Sequence, residues 1–264
     1  MDTPTVTSAE LLQRLDRELA RGGPPMASAA HGPLLAFDAD GTLWSGDIGV
    51  DIFEALMQVS GVREEARAAL EDEAREFGIR VAGTPSQIAR ALDSAVALDL
   101  YPEARGLAMV AWAFAGWDPA EVEGFAREVV ATAGVRSRIH REVLPLLRWA
   151  EARGIEAWIV SASPRAMAVA AASVVGIAPE RVLAMTPAID EGRVAPRLVG
   201  PVTYGDGKRE ALRAVRPEAL VLGAFGDSVY DAAMLREARI PVAVYPKPSL
   251  IAAARSIPNL VMLA

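Results

Sequence analysis

From residue 157 onward, short apolar runs alternate with helix-type patterns, and this alternation constrains the fold more than any other feature of the 264-residue chain. Strand-like runs at Ala157 to Val160, Arg181 to Ala184, Leu220 to Phe225 and Pro241 to Tyr245 are separated by helical stretches at Pro164 to Val175, Lys208 to Val215 and Tyr230 to Ala238. Strands joined through helices pair in parallel, and the helices then cover both faces of the sheet. Pro33-Leu34-Leu35-Ala36-Phe37 adds a buried strand that stops at Asp38-Ala39-Asp40-Gly41. The expected fold class is α/β, a doubly wound parallel sheet. Between Thr186 and Val202, the run Ala188-Ile189-Asp190-Glu191-Gly192-Arg193-Val194 reads as a small hairpin.

The stretch from Ile48 to His140 carries almost no strand signal. Its helical patterns are broken at Gly61, Gly83-Thr84-Pro85, Tyr101-Pro102 and Trp117-Asp118-Pro119. This divides the chain into an α/β core, residues 1–47 and 141–264, and an inserted all-helical cap, residues 48–140. A further amphipathic helix opens on the capping-box spacing Thr7-Ser8-Ala9-Glu10, continues through Leu11, Leu12, Leu15 and Leu19, and ends at Gly22-Gly23-Pro24-Pro25.

Composition narrows the chemistry. With no Cys and only His31 and His140 for imidazole chemistry, thiolate nucleophiles and sulfur-ligated metals are excluded, so any metal must sit on oxygen. A formal charge of −7 argues against a nucleic-acid partner, since such domains are usually basic. No apolar run reaches the roughly 18 to 20 residues that span a bilayer. The opening Met1-Asp2-Thr3-Pro4 lacks the basic-then-apolar pattern of a secretory signal, so the chain reads as cytoplasmic, without a membrane partner. Monomer and homodimer are equally open. The basic residues are 25 Arg against two Lys, Lys208 and Lys247, so a lysine in a plausible site draws attention.

Ligands of open parallel sheets bind beyond the carboxyl ends of the strands. Asp38 and Asp40 follow one strand, Ser161 follows Trp158-Ile159-Val160, and Gly226-Asp227-Ser228 follows Leu220 to Phe225. Gly41 permits a tight turn and close approach of an anion such as phosphate. Asp227 and Asp231 lie four apart around a helix start, so several acidic oxygens can gather in the octahedral shell that Mg²⁺ demands. Two like charges about 4 Å apart repel by about 4 kcal/mol at an effective dielectric of about 20, a cost that a divalent cation reverses.

Phe37-Asp38-Ala39-Asp40-Gly41-Thr42-Leu43 resembles the first motif of the haloacid dehalogenase superfamily, whose members are mostly phosphatases. Ser161 in Ile159-Val160-Ser161-Ala162-Ser163 resembles the second motif, Lys208 in Gly205-Asp206-Gly207-Lys208 the third, and Gly226-Asp227-Ser228-Val229-Tyr230-Asp231 the fourth. Intervals of 121, 47 and 19 residues from Asp40 through Ser161 and Lys208 to Asp227 put the insertion between the first two motifs, as in the phosphoserine phosphatase-like branch with a helical cap. The resemblance implies a Rossmann-like core and Mg²⁺-dependent hydrolysis of a small phosphorylated metabolite through an aspartyl-phosphate. It makes Asp38 the nucleophile and Asp40 the general acid and base. Mg²⁺ is assigned to the Asp38 carboxylate, the Asp40 carbonyl and Asp227, with Asp231 binding directly or through water. Lys208 supplies charge, and Ser161, Ala162, Gly41 and Thr42 surround the phosphoryl group. Dehalogenases generally lack an acid at the Asp40 position, because a departing halide needs no proton. A phosphomutase or phosphotransferase of the same superfamily shares the whole set, and a non-catalytic phospholigand-binding protein is a further alternative.

In that branch a Glu seven residues after the general acid contacts the substrate amine, and here Asp47 stands at that spacing. The expectation is a leaving alcohol with an amine or quaternary ammonium group, phosphoserine- or phosphocholine-like. Trp44 and a cap aromatic such as Trp112, Trp117 or Tyr101 would offer a cation-facing ring. Plainer roles stand beside these. Asp38 and Asp40 could form a turn after a strand, Ser163 a helix cap before Pro164, and Asp231 part of a helix face. Trp112 and Phe114 could be helix core, Trp44 a lid contact and Lys247 a solvated loop residue. His31 and His140 fall at no expected strand end. The cap is expected to close on joints near Ser45-Gly46 and Gly134 to Arg141.

Overall fold

The computed structural model describes residues 3–21 and 32–264. The expected end of the first helix at Gly22 to Pro25, and His31, lie outside the described residues. Strand β1 (Thr5–Val6) leads into α1 (Ser8–Arg21), which starts as its spacing predicts. The Thr7 N–H donates to Glu10 Oε2 at 2.8 Å, and the Glu10 N–H returns to Thr7 Oγ1. Strand β2 (Leu34–Phe37) precedes a helical segment of α2 (Ile48–Gln58), α3 (Arg67–Glu76), α4 (Pro85–Val96), α5 (Glu103–Trp112), α6 (Pro119–Thr132) and α7 (Val135–Arg138). Two breaks in the helical pattern are N-terminal caps. Thr84 and Asp118 each close a capping box, with Gln87 and Glu121, and each is followed by a proline at the first helical position.

The chain returns through α8 (Leu144–Ala152), β3 (Glu156–Pro164), α9 (Arg165–Ala172), β4 (Val182–Asp190), β5 (Arg193–Val199), α10 (Asp206–Val215), β6 (Val221–Gly226), α11 (Ala232–Arg236), β7 (Ile240–Val244), α12 (Pro248–Ala253) and β8 (Val261–Leu263). Among the described residues these strands form one sheet in the order β1-β8-β7-β6-β2-β3-β4-β5. Every pairing is parallel except the β4–β5 hairpin. Strands β2, β6 and β7 are buried along their whole length, as a parallel sheet covered on both faces requires. Side chains alternate between two cores: Leu35 and Phe37 enter one, Leu34 and Ala36 the other. Phe37 stacks on Phe225 of the neighbouring strand, with ring centres 4.2 Å apart.

Strand β3 runs four residues past its expected end, through Ser161 to Pro164, and its register against β4 shifts between Val160 and Pro164. Such a bulge re-aims side chains at the end of a strand, and a proline is tolerated there. The helix expected from Tyr230 is shorter, because a 3₁₀ turn occupies Val229–Asp231. Strands β1 and β8 and helix α12 are too short to leave a periodic signal.

The connectors to the helical segment run side by side. Ser45 N–H donates to Arg138 O at 3.0 Å, and His140 N–H to Leu43 O at 2.9 Å. The segment is not otherwise detached. Gly116 N–H donates to Val194 O and Val194 N–H to Trp117 O, tying the α5–α6 turn to β5. Phe53, Met109 and Phe114 share one buried cluster with Phe37 and Ala171. No helix among the described residues is long and apolar enough to cross a membrane.

Candidate active site

Strand β2 lies between β3 and β6, so its carboxyl end is where the chain's winding changes direction and where a crevice opens. Register brings the polar residues together. Phe37 pairs with Ile159 on one side and Phe225 on the other, so Asp38, Ser161 and Asp227 lie one or two residues beyond a common level. Asp38 N–H donates to Phe225 O at 2.9 Å, and the turn that follows closes with Gly41 N–H on Trp44 O at 2.8 Å. Gly41 has φ of +82°, and a β-carbon on it would lie 2.1 Å from Asp227 Oδ2. Only glycine lets this turn approach the opposing carboxylate so closely.

Asp38 is buried. Lys208 Nζ donates to its Oδ1 at 2.5 Å and Thr42 Oγ1 to its Oδ2 at 2.9 Å. Lys208 itself is buried at the start of α10 and also donates to Asp231 Oδ1 at 2.6 Å. Burial pushes the Asp38 carboxyl well above the usual carboxylate range, Lys208 opposes this, and the charges of Asp231 and Asp227 add to it. Pairing with the two carboxylates outweighs burial at Lys208 and keeps it charged. Burial also raises Asp227. Oxygens of Asp38, Asp227 and Asp231 lie within 4.8 Å of one another, an all-oxygen, strongly anionic set suited to a hard divalent cation.

Within that set Asp231 is the most deeply buried. It is 0% exposed, its Oδ1 takes the Lys208 bond, and its Oδ2 accepts from Asp227 N–H, Ser228 N–H and Ser228 Oγ. Both oxygens are engaged by protein donors, so Asp231 orients Lys208 and the Asp227 turn while remaining one of the three clustered carboxylates.

Asp40 has another environment. Its Oδ1 accepts from Trp44 Nε1 at 2.8 Å and Ile48 N–H at 2.9 Å, and its Oδ2 from Ser163 Oγ at 2.7 Å. Its pKa is pushed up to about 6 by burial and then by the charge of Asp47, against these three hydrogen bonds. Asp47 is exposed, caps α2 by accepting from Val50 N–H at 3.0 Å, and lines a cavity of about 210 Å³ that reaches Gly49 and Ala162.

Several expectations need correction. Trp44 is 0% exposed and spends its indole N–H on Asp40, so it faces no substrate. Thr42 is fully buried and orients Asp38 rather than lining the pocket. Ser163 holds Asp40 instead of capping α9, whose N-cap is Pro164. Ser161 is buried within β3, where its Oγ accepts from Ser163 N–H at 3.1 Å. Tyr101 is buried with its hydroxyl on Glu73, Trp117 donates to Gly61 O beneath Arg63, and Trp112 is core, so none of these lines the cavity. Lys247 is not a free loop residue, because its Nζ lies 2.9 Å from Asp227 Oδ2. Its rarity was the one signal in the sequence that could have placed it here. His140 holds Thr42 O through Nδ1 at 2.9 Å and touches no acid of the cluster.

The fold and this strand-end arrangement define a doubly wound α/β core with an acidic, lysine-balanced centre. The sequence profile of haloacid dehalogenase-like hydrolases matches residues 35–236, and the chain belongs to that family. No curated protein matches it. Among solved structures, a Bordetella pertussis Tohama I protein of unknown function is 20% identical with a TM-score of 0.68, covering 89% of this chain and 99% of its own. A HAD family hydrolase of Salmonella enterica serovar Typhi is 16% identical, TM-score 0.54, covering 96% of this chain and 76% of its own. A substrate-bound phosphoserine phosphatase is 14% identical, TM-score 0.50, covering 86% of this chain and 91% of its own. These likenesses describe the fold.

Proposed function

We propose that this chain is a Mg²⁺-dependent phosphomonoester hydrolase acting on a small phosphorylated alcohol that carries an amine or quaternary ammonium group. The observation that carries the hydrolytic part is Asp40, a carboxyl with a pKa of about 6, two residues from a lysine-held Asp38. A halide needs no such proton, whereas an alkoxide does.

In the proposed reaction an Asp38 carboxylate oxygen bonds to phosphorus as the ester P–O bond breaks, and the departing alkoxide takes the Asp40 proton. Asp40, now a carboxylate, takes a proton from water. The resulting hydroxide bonds to phosphorus, and the P–O bond to Asp38 breaks, which restores both groups and releases phosphate. Splitting the displacement in two requires one group to serve first as acid and then as base, and a pKa near the working pH suits both. Lys208 balances the charge on Asp38 throughout. The Asp38 and Asp227 carboxylates and the Asp40 carbonyl would hold Mg²⁺, which when bound supplies charge to the phosphoryl oxygens.

Support for a cationic alcohol comes from the cavity beside Asp40. Asp47, Asp93 and Glu103 stand among apolar walls that include Phe53, Leu107 and Val110, and none of the described residues that line it is basic. Arg90 is paired with Glu54, a further acid of this lining, and lies 4.0 Å from Asp93. Tyr204, whose hydroxyl donates to Glu103 at 2.7 Å and whose ring lies 4.2 Å from Tyr230, sets an aromatic pair next to one of these acids, where the expected tryptophans are absent. A substrate carboxylate finds no counter-charge there, which favours a phosphocholine-like ester over phosphoserine. Phosphate release from matched cationic, zwitterionic and neutral esters tests this. Cationic esters should be preferred, with the preference lost in Asp47→Asn; equal turnover of all three removes the cationic reading, and no Mg²⁺-dependent turnover removes the hydrolase.

A further inference from the structure

The second lysine lies outside the chemistry proposed above, and its setting is unusual. Strand β7 ends at Val244, and the chain turns at Tyr245, whose φ of +42° is left-handed and strained for a tyrosine. Pro246 and Pro248 then fix the backbone on either side of Lys247. Lys247 N–H donates to the Asp227 carbonyl at 2.7 Å, which pins the main chain of one residue to that of the other. From this anchor the side chain, 61% exposed, arches in from solvent and sets Nζ 2.9 Å from Asp227 Oδ2, on a carboxylate only 4% exposed.

We propose that Lys247 is a stand-in cation. It neutralises Asp227 while the acidic cluster lacks a divalent ion, and it withdraws toward solvent when that ion takes the same carboxylate. The proposal rests on the reading of the cluster as a Mg²⁺ site.

Three observations support the assignment. Lys208 alone cannot balance Asp38, Asp227 and Asp231, so a second cation answers a charge that burial makes costly. The main-chain tether and the two prolines keep the base of the side chain in place, while its exposure lets the head leave without disturbing the fold. The chain uses Arg at 25 of its 27 basic positions, yet both lysines reach this cluster. A guanidinium fork would grip a carboxylate through two parallel bonds, whereas an ammonium on a flexible stem is a compact, readily hydrated charge that can let go.

Calorimetric Mg²⁺ titration at low ionic strength, without substrate, tests the exchange on wild type, Lys247→Met and Lys247→Arg. Met keeps the stem and removes the competing charge, so binding should tighten about twofold to fivefold, the scale of a partly exposed ion pair. That gain should shrink at high salt. Lys247→Arg should bind Mg²⁺ no more tightly than wild type. Unchanged or weaker binding in Lys247→Met overturns the proposal, and so does tighter binding in Lys247→Arg. If those results appear in an enzyme that binds Mg²⁺ and releases phosphate, Lys247 alone was misassigned. A wild type that binds no Mg²⁺ overturns the metal reading, and the proposal with it.

Discussion

Asp38 and Asp40 are two residues apart on one turn, yet they occupy different chemical surroundings. Around Asp38, apart from the Thr42 hydroxyl, the neighbours are charged: two carboxylates, the buried ammonium of Lys208 and, through Asp227, the reach of Lys247. Around Asp40 they are an indole N–H, a main-chain N–H and a hydroxyl, with Asp47 the nearest charge among the causes of its raised pKa. The comparison teaches how one short loop can carry two carboxyl groups with separate duties. Burial raises both; at Asp38 the cations oppose that rise and favour the anion, whereas at Asp40 a second acid adds to it against three neutral donors, so the proton is kept up to about pH 6.

The contrast can be broken most severely at its charged end. Asp38→Asn should lower phosphate release by about four orders of magnitude or more, even on an activated aryl phosphate, because a neutral amide replaces the nucleophilic carboxylate. Steady-state kinetics with Mg²⁺ saturating would measure it. Asp40→Asn should cost about 10² to 10⁴ on an alkyl ester and far less on an aryl ester, whose phenolate leaves without help. For wild type the same logic predicts alkyl-ester turnover falling above about pH 6 with a weaker slope for the aryl ester.

Smaller changes sharpen the comparison. Ser163→Ala removes a hydrogen bond that favours the Asp40 carboxylate, so the alkaline limb of the alkyl-ester profile should move upward by less than about one pH unit. The metal-free protein should melt a few degrees lower at pH 8 than at pH 5.5. Asp38 and Asp40 have folded-state pKa values raised above those of the unfolded chain. The folded state therefore holds more protons through this window, and the associated stability is lost as pH rises through the folded values. Mg²⁺ should restore more of the melting temperature at pH 8 than at pH 5.5, which scanning calorimetry would follow.

Much of this was legible in the sequence because it depends on local pattern. Fully buried parallel strands leave continuous apolar runs, so β2, β6 and β7 could be read within a residue or two, and the polar residues at their ends followed. The proline-marked starts of α4 and α6 were equally plain. What escaped depends on contacts distant along the chain. Trp44 and Ser163 both look like ordinary loop residues until the bulge in β3 brings Ser163, 123 positions away in sequence, onto Asp40. The saturation of Asp231 by the turn it belongs to, and the route by which Lys247 reaches Asp227, likewise require the fold to be known.

The paired main-chain bonds between Gly116–Trp117 and Val194 set a mechanical condition on access to the centre. A segment fastened at its two connectors and again at the far end of the sheet cannot swing as a simple door. To rotate, it must either break those bonds or carry the β4–β5 ribbon with it, so the travelling piece would be larger than the helices alone and its axis would run through the sheet's own border.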